Sequence, residues 1–203
     1  MTNLTLKYYD RNAQRVTREY ETIDMSILHQ KLLNFFPRKS TLLELGSGSG
    51  RDAVFLLAQG YNVHTTDGSQ SMLTHALRLH PELKDRQWYL QLPGEFRFPD
   101  NSYDGVYAIA VLMHFEYSEI EEILQEVYRV LKEHGRLVYS VPMQRAGLQT
   151  EGIDQHGRKY LILPKGEWSA LNESFNFHTH STFENDDVRL NIRWCSFFLE
   201  KNL

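Results

Sequence analysis

An alternating α/β fold with a largely parallel sheet is what this sequence predicts, and two stretches predict it. Residues 41–67, TLLELGSGSGRDAVFLLAQGYNVHTTD, pass from a short apolar strand through a glycine turn into a helix, then into a second strand that ends on an acid. Residues 98–115, FPDNSYDGVYAIAVLMHF, hold a turn and another apolar strand, and the most regular amphipathic helix of the chain follows them. Strands that alternate with helices in this way belong to parallel sheets covered on both faces.

The first stretch carries the most information. Residues 41–45 are apolar with a β-branched start, and Gly46, Gly48 and Gly50 follow at once. Glycine lets the backbone take positive φ and removes the Cβ atoms that would keep a ligand away from the main chain. From Arg51 the apolar positions Val54, Leu57 and Ala58 fall at i, i+3 and i+4, so a helix starts directly out of the turn with its free N–H groups facing the ligand side. Gly60 stops that helix, and residues 61–66 read as the second strand. Asp67 lies 21 residues after Gly46, where a carboxylate accepts hydrogen bonds from both hydroxyls of a ribose. The unit is Rossmann-like.

A nicotinamide-binding GxGxxG turn would need its third glycine at position 51, which is Arg51. What stands is GxGxG preceded by Glu44, and this resembles the first motif, E/DxGxGxG, of the class I S-adenosylmethionine-dependent methyltransferases. Residues 98–115 resemble the stretch that those enzymes carry through their fourth strand, and the motif-level likeness covers residues 41–141. The resemblance implies a Rossmann-like class I methyltransferase fold: a seven-stranded, mostly parallel sheet with an antiparallel last strand and helices on both faces. It implies one methyltransferase domain over residues 1–203, divided into a helical lid segment (1–36), a cofactor-binding core (41–141) and an acceptor-side segment with a closing hairpin (142–203). The implied cofactor is S-adenosylmethionine, released as S-adenosylhomocysteine. Its implied contacts are Glu44, Gly46, Ser47, Gly48, Gly50 and Arg51 at the turn, and Asp67, Gly68, Ser69 and Met72 around the nucleoside. Many relatives place an acid just beyond the third strand to bond the adenine amino group; here that place reads Gln91, Leu92, Pro93, which leaves the task to the backbone of Gln91 or Leu92. Ala108 and Ile109 would flank the methionine moiety through their backbone, and Met113 and His114 would reach the pocket from the next turn.

His114 is the candidate acid/base residue, because an imidazole titrates near neutrality and can take a proton from an acceptor N–H or O–H as the methyl arrives. The competing reading is a hydrogen-bonded structural histidine, since many methyl transfers need only positioning. Met72 likewise reads as core, as adenine contact, or as both.

The remaining elements follow in order. Tyr8, Tyr9 and Tyr20 sit in an N-terminal segment with few apolar residues, which suits either a lid over a pocket or a surface helix anchored by aromatics. Asp24 can cap a helix whose apolar face is Leu28, Leu32, Phe35 and Phe36, ended by Pro37. Ser69 is an N-cap for a helix with Met72, Leu73, Ala76 and Leu77 buried, and residues 88–92 are a third strand. Residues 103–109 form the fourth strand. Ser118 and Glu121 read as a capping box for a helix carrying Ile120, Ile123, Leu124, Val127 and Leu131, with Gly135 as its stop. Residues 137–141 form a fifth strand, and a polar excursion over 142–157 follows, where acceptor specificity is expected. A short helix at 168–171 precedes a hairpin of residues 175–181 and 190–199, with Asn185, Asp186 and Asp187 as its turn.

Composition narrows the function classes. At 203 residues with 41% hydrophobic and 12% aromatic content, the chain suffices for one packed core. The first residues lack a signal-type apolar region and no apolar run approaches 18 residues, so no membrane role and a cytoplasmic location are expected. Cys195, the one cysteine, lies in an aromatic strand pattern and reads as an inert buried thiol. The net charge of −4 with dispersed Lys and Arg argues against nucleic acid as partner. His178 and His180 share a strand face but lack a third ligand at metal-binding spacing, so no metal is expected. There is no NPPY-type tetrad for DNA amino groups and no Pro-Cys nucleophile for cytosine. The expected reaction is methyl transfer to a small-molecule acceptor. The alternatives are the same chemistry on a tRNA nucleotide or protein side chain, which requires a basic rim; a non-catalytic cofactor-binding scaffold, which requires a closed or filled cavity beside His114; and a nicotinamide oxidoreductase.

Overall fold

The computed structural model describes residues 3–149, 152–188 and 190–202. Its seven strands are β1 (Thr41–Leu45), β2 (Asn62–Asp67), β3 (Gln87–Tyr89), β4 (Tyr103–Ile109), β5 (Leu131–Arg145), β6 (Phe177–Asp187) and β7 (Ile192–Lys201). They form one sheet in the order β3-β2-β1-β4-β5-β7-β6. Every pairing from β3 to β5 is parallel, and β7 runs antiparallel to both β5 and β6. This is the mostly parallel sheet with an antiparallel last strand that the sequence leads one to expect.

Side chains alternate along each strand, so each face of the sheet builds its own core. Leu42, Val63, Tyr107 and Val138 face α2 (Ser26–Phe35), α3 (Arg51–Ala58) and α4 (Gln70–Leu79), packing on Leu28, Leu32, Leu56 and Ala76. Leu43, Leu45, Val106 and Ala108 face the other way, onto α5 (Tyr117–Val130) and α6 (Lys165–Ser174) with its buried Trp168. With both faces covered, the parallel strands are apolar throughout, which is why they read as continuous runs.

The N-terminal helix α1 (Asn3–Glu21) packs on α4 through Ala13 and Val16, which meet Met72. Its few apolar residues suffice because Thr5 and Thr17 are buried as well, Thr17 returning its hydroxyl to Ala13 O at 2.8 Å.

Several boundaries differ from the sequence reading. β3 ends at Tyr89: Leu90 still donates to Asp67 O at 3.0 Å, but the chain then leaves the sheet and Leu92 enters the core. The α5 cap is Glu116 with Glu119, whose Oε2 accepts from the Glu116 N–H at 2.8 Å; Lys159 fixes Glu116 by an ion pair of 2.6 Å. Helix α5 stops at Val130 rather than Gly135, because Leu131 turns extended and pairs with Tyr103. The Lys201 ammonium donates to Tyr128 O at 2.8 Å and Leu131 O at 2.7 Å, placing a cation at the negative end of that helix. Finally, Asn185, Asp186 and Asp187 belong to β6, whose pairing with β7 runs through Asp187 opposite Ile192. An edge strand accommodates such charge: Asp186 pairs with Arg193 across the ladder at 3.1 Å. Strand β5 also continues past Pro142 to Arg145 with a register shift between Pro142 and Gln144, so the polar excursion starts at 146.

Candidate active site

The C-terminal ends of β1, β2 and β4 open onto one cavity of about 650 Å³, and α1 closes its side. Such sheet ends are where open α/β folds bind ligands. Glu44, Gly46, Ser47, Gly48, Arg51, Asp67, Met72, Ile109, Met113 and His114 of the residues expected from sequence all line it.

The turn after β1 approaches its neighbours too closely for any side chain. Gly46 has φ 66°, and a Cβ there would stand 2.6 Å from Val111 Cγ2; Gly48 has φ 58°, with the Tyr20 ring 3.2 Å from its would-be Cβ. Ser47 N–H donates to Thr66 O at 2.8 Å and so ties the turn to β2. Asp67 completes the tie: one carboxylate oxygen accepts from Gly48 N–H at 2.9 Å and the other from Ser69 N–H at 2.8 Å. Burial outweighs these bonds, with Asp10 adding repulsion, and lifts Asp67 to about 6. Each oxygen keeps a lone pair for a further donor.

Glu44 lies beneath the turn. Its Oε2 is buried with no hydrogen-bond partner among the described residues, as is Ser47 Oγ. Burial first, and the neighbouring Asp52 second, hold the Glu44 carboxyl well above the ordinary range. Ser69 serves as predicted as the α4 N-cap, accepting from Met72 N–H at 3.1 Å.

Several expected contacts lie elsewhere. Arg51 reaches the cavity wall, but its guanidinium clamps Asp52 (2.9 and 3.0 Å) and the Tyr20 carbonyl (2.7 Å), tying α1 to α3. Asp52 also bonds His29 at 2.7 Å, and despite its burial these partners hold it down at about 2. Gly50 packs against Leu83 and Ala76, while Ala108 and Leu92 point into the core. Gln91 is exposed to solvent, its side chain bonded by Tyr89, while Gly68 and Ser69 stand behind the cavity wall: Gly68 meets Leu6 of α1 and Ser69 Oγ donates to Asp10. The physical cause is α1, which covers this part of α4 and β2. The backbone that does line the cavity after β4 is one step later, Ile109 to Val111, with Ala110 in the left-handed region at φ 58°. A non-glycine residue there costs about 1–2 kcal/mol.

His114 stands at the far wall. Its Nδ1 lies 2.6 Å from Lys159 O, which can only accept, so Nδ1 carries the proton and the Nε2 lone pair takes the Tyr9 hydroxyl at 2.9 Å. Burial, reinforced by Arg158 and Arg145, pushes His114 down to about 4, so it is neutral at physiological pH. Around it stand Tyr160, its ring centroid 5.1 Å away, and the guanidiniums of Arg145 and Arg158, which share the buried Asp154. Sequence reasoning missed Tyr160, Arg145 and Arg158, and singled out Tyr9 only as an aromatic of the N-terminal segment, without its bond to His114. Arg145 lies inside the excursion expected to set acceptor specificity, but an arginine in a polar stretch has no signature that separates it from surface charge.

The other rivals are testable against this geometry. The cavity beside His114 is open rather than filled. Its rim carries Asp24, Asp186 and Asp187 instead of a basic track. No described helix is long and apolar enough to cross a membrane. Among the described residues no group of three or more His, Cys, Asp or Glu is placed to hold a metal, and His180 instead bonds Glu200 at 3.0 Å. Cys195 is fully buried, which pushes its thiol up to about 11.

Comparison with known proteins agrees with the turn. The methyltransferase domain family matches residues 43–139, the span from β1 through β5. The matched span, just under half of the chain, holds the glycine turn, Asp67 and β4. The O-methyltransferase resE of Aspergillus sclerotiorum is 26% identical over 165 residues, covering 79% of this chain and 62% of that one. The biotin biosynthesis bifunctional protein BioHC of Cellvibrio japonicus is 30% identical over 113 residues, 54% of this chain and 22% of its own length. The chain thus spans between about a fifth and three fifths of these relatives. Among solved structures, the 1,6-didemethyltoxoflavin-N1-methyltransferase of Burkholderia thailandensis, with bound 1,6-didemethyltoxoflavin and S-adenosylhomocysteine, superposes with a TM-score of 0.75 at 18% identity, covering 98% of this chain and 88% of that one. The chain therefore shares its fold along nearly its whole length with that structure.

Proposed function

We propose that this methyltransferase binds S-adenosylmethionine at the Glu44 to Met72 side of the cavity and transfers its methyl group to a small molecule held at the His114 side. The observation that carries the reading is the pair of buried, unpartnered oxygens, Glu44 Oε2 and Ser47 Oγ, in the wall of the same cavity as Asp67. They fit the cofactor, whose ammonium would satisfy Glu44 and whose ribose hydroxyls would donate to the free lone pairs of Asp67. Gly46 and Gly48 let the cofactor lie against the backbone, and Met72, Ile109 and Met113 supply apolar contact. When bound, S-adenosylmethionine supplies an already electrophilic sulfonium methyl, so the protein's share is alignment and exclusion of water.

Residues 1–36 act as a helical lid: α1 closes the cavity with Leu6, Tyr9 and Tyr20 and is held by the Arg51 clamp and by Asp10 on Ser69. His114 orients the acceptor side through Tyr9: once methylation has made the acceptor proton strongly acidic, the Tyr9 oxygen takes it while passing its own hydroxyl proton to His114 Nε2, as a base near 4 requires. The cavity volume of about 650 Å³ falls in the range of small-molecule sites, roughly 300–1,000 Å³. The test is transfer of label from methyl-labelled S-adenosylmethionine to a panel of small hydroxylated and amino compounds, with tRNA and protein as parallel acceptors. Label in a small molecule, abolished by Asp67→Ala, is the expected result; label in RNA or protein alone contradicts it.

A further inference from the structure

The acceptor side of the cavity carries two guanidiniums against one carboxylate. Arg158 holds Asp154 through Nη2 at 2.7 Å and Nε at 2.9 Å, and Arg145 Nη2 reaches the same oxygen at 3.3 Å. The other Asp154 oxygen is taken by the backbone N–H groups of His156 and Arg158, both at 2.9 Å. Asp154 therefore gives Arg145 only that one long bond, and the Arg145 Nε is buried without a hydrogen-bond partner among the described residues. Both arginines line the cavity, and their side chains are only 12% and 15% exposed. Water does not supply what a guanidinium buried to this degree lacks, and an unpaired buried donor is costly.

The rest of this wall adds no compensating charge. Tyr9, Tyr160 and His114 are neutral, and the Arg145 guanidinium lies over the Tyr160 ring at 3.9 Å, which fixes its plane. Of the rim acids, Asp186 pairs with Arg193, while Asp187 and Asp24 accept from the backbone N–H groups of Leu190 at 3.2 Å and Ser26 at 2.9 Å. The local balance of Arg145, Arg158 and Asp154 is one positive charge, presented by a planar fork. Beside it, Ile192, which stands in register with Arg145, and Trp194 give the cavity an apolar flank.

We infer that the acceptor is a small molecule bearing a carboxylate, which Arg145 and Arg158 hold while its apolar body lies on Ile192 and Trp194. A single unbalanced charge matches a monoanion better than a phosphate dianion, and a guanidinium fork matches the planar carboxylate bidentately. The inference rests on the methyltransferase reading and names its substrate class.

The test is calorimetric titration of phenylacetate, phenylacetamide and phenyl phosphate into protein saturated with S-adenosylhomocysteine. Phenylacetate should bind at least about tenfold more tightly than the amide, in line with one charge-assisted hydrogen-bonded pair. Arg145→Gln should erase that preference with S-adenosylhomocysteine affinity unchanged, and Arg145→Lys, which keeps the charge but not the fork, should retain part of it. Equal binding of acid and amide, no heat from any of the three probes, tighter binding of phenyl phosphate, or a preference that survives Arg145→Gln would each overturn the inference. If S-adenosylhomocysteine itself fails to bind, the methyltransferase reading fails instead; an acid preference in the free protein would then still establish the anion site.

Discussion

The two halves of the cavity are built by opposite means. The half around Gly46, Gly48 and Asp67 is local: its parts lie within one strand–turn–helix–strand unit, and backbone N–H groups do most of the holding. The half around His114 is assembled from distant segments, with Tyr9 bonded to His114 across 105 positions and His114 to Lys159 across 45. A backbone-made site needs glycines and a carboxylate at set spacings, and such spacings show in a sequence. A side-chain-made site needs only that the fold bring ordinary residues together.

This contrast is sharpened most strongly at the turn itself. Gly46→Ala places a methyl against Val111 at a positive φ, and the left-handed conformation alone should cost about 1–2 kcal/mol, with the clash added. Thermal unfolding should report the loss, and calorimetry should show cofactor binding abolished or weakened more than by any acceptor-side change. Asp67→Ala comes next. It removes both ribose acceptors and should weaken cofactor binding by about 1–3 kcal/mol, again by calorimetry; unchanged affinity in a folded variant would detach Asp67 from the ribose.

The pH dependence follows from the same carboxylate. Ribose hydroxyls donate to the ionised form, so cofactor affinity is complete above the Asp67 value of about 6 and falls as the pH drops below it, approaching tenfold per pH unit. In the free protein the sign reverses: a folded carboxyl raised above its unfolded value makes Asp67 a source of stability below about pH 4 that is lost as the pH rises to about 6. Opposite slopes for affinity and for free-protein stability, both absent in Asp67→Asn, are the expected outcome. The smallest effect belongs to the acceptor side. Tyr9→Phe removes one hydrogen bond to His114 Nε2 and should cost about 0.5–1.5 kcal/mol of stability, while cofactor affinity changes little; a collapse of cofactor binding would show that the halves are not separable.

The same contrast explains what could be read from the residues alone. The alternation of strands with helices, the closing hairpin and the grouping of Glu44, Gly46, Ser47, Gly48 and Asp67 were legible because apolar patterning and glycine spacing are local signals. The end of α5 was not, since Leu131 leaves the helix to pair with Tyr103 of β4, and the cation that bonds its carbonyl, Lys201, lies 70 positions away. Arg51 reads as a ligand contact because it follows the turn, yet Asp52 beside it and the Tyr20 carbonyl 31 positions earlier take its donors. Gly68 and Ser69 drop behind the wall because α1 covers them, and its sequence holds too few apolar residues to announce where it packs. Arg145 and Arg158 become conspicuous only once Asp154 is seen to be shared between them.

The most direct measurement is a calorimetric titration of the purified protein with S-adenosylhomocysteine, with NADH as control. The account predicts one site per chain of micromolar order, no heat from NADH, and loss of the signal in Asp67→Ala. Absence of S-adenosylhomocysteine binding, or tighter binding of NADH, would contradict the claim that the glycine turn and Asp67 form the cofactor half of a methyltransferase site.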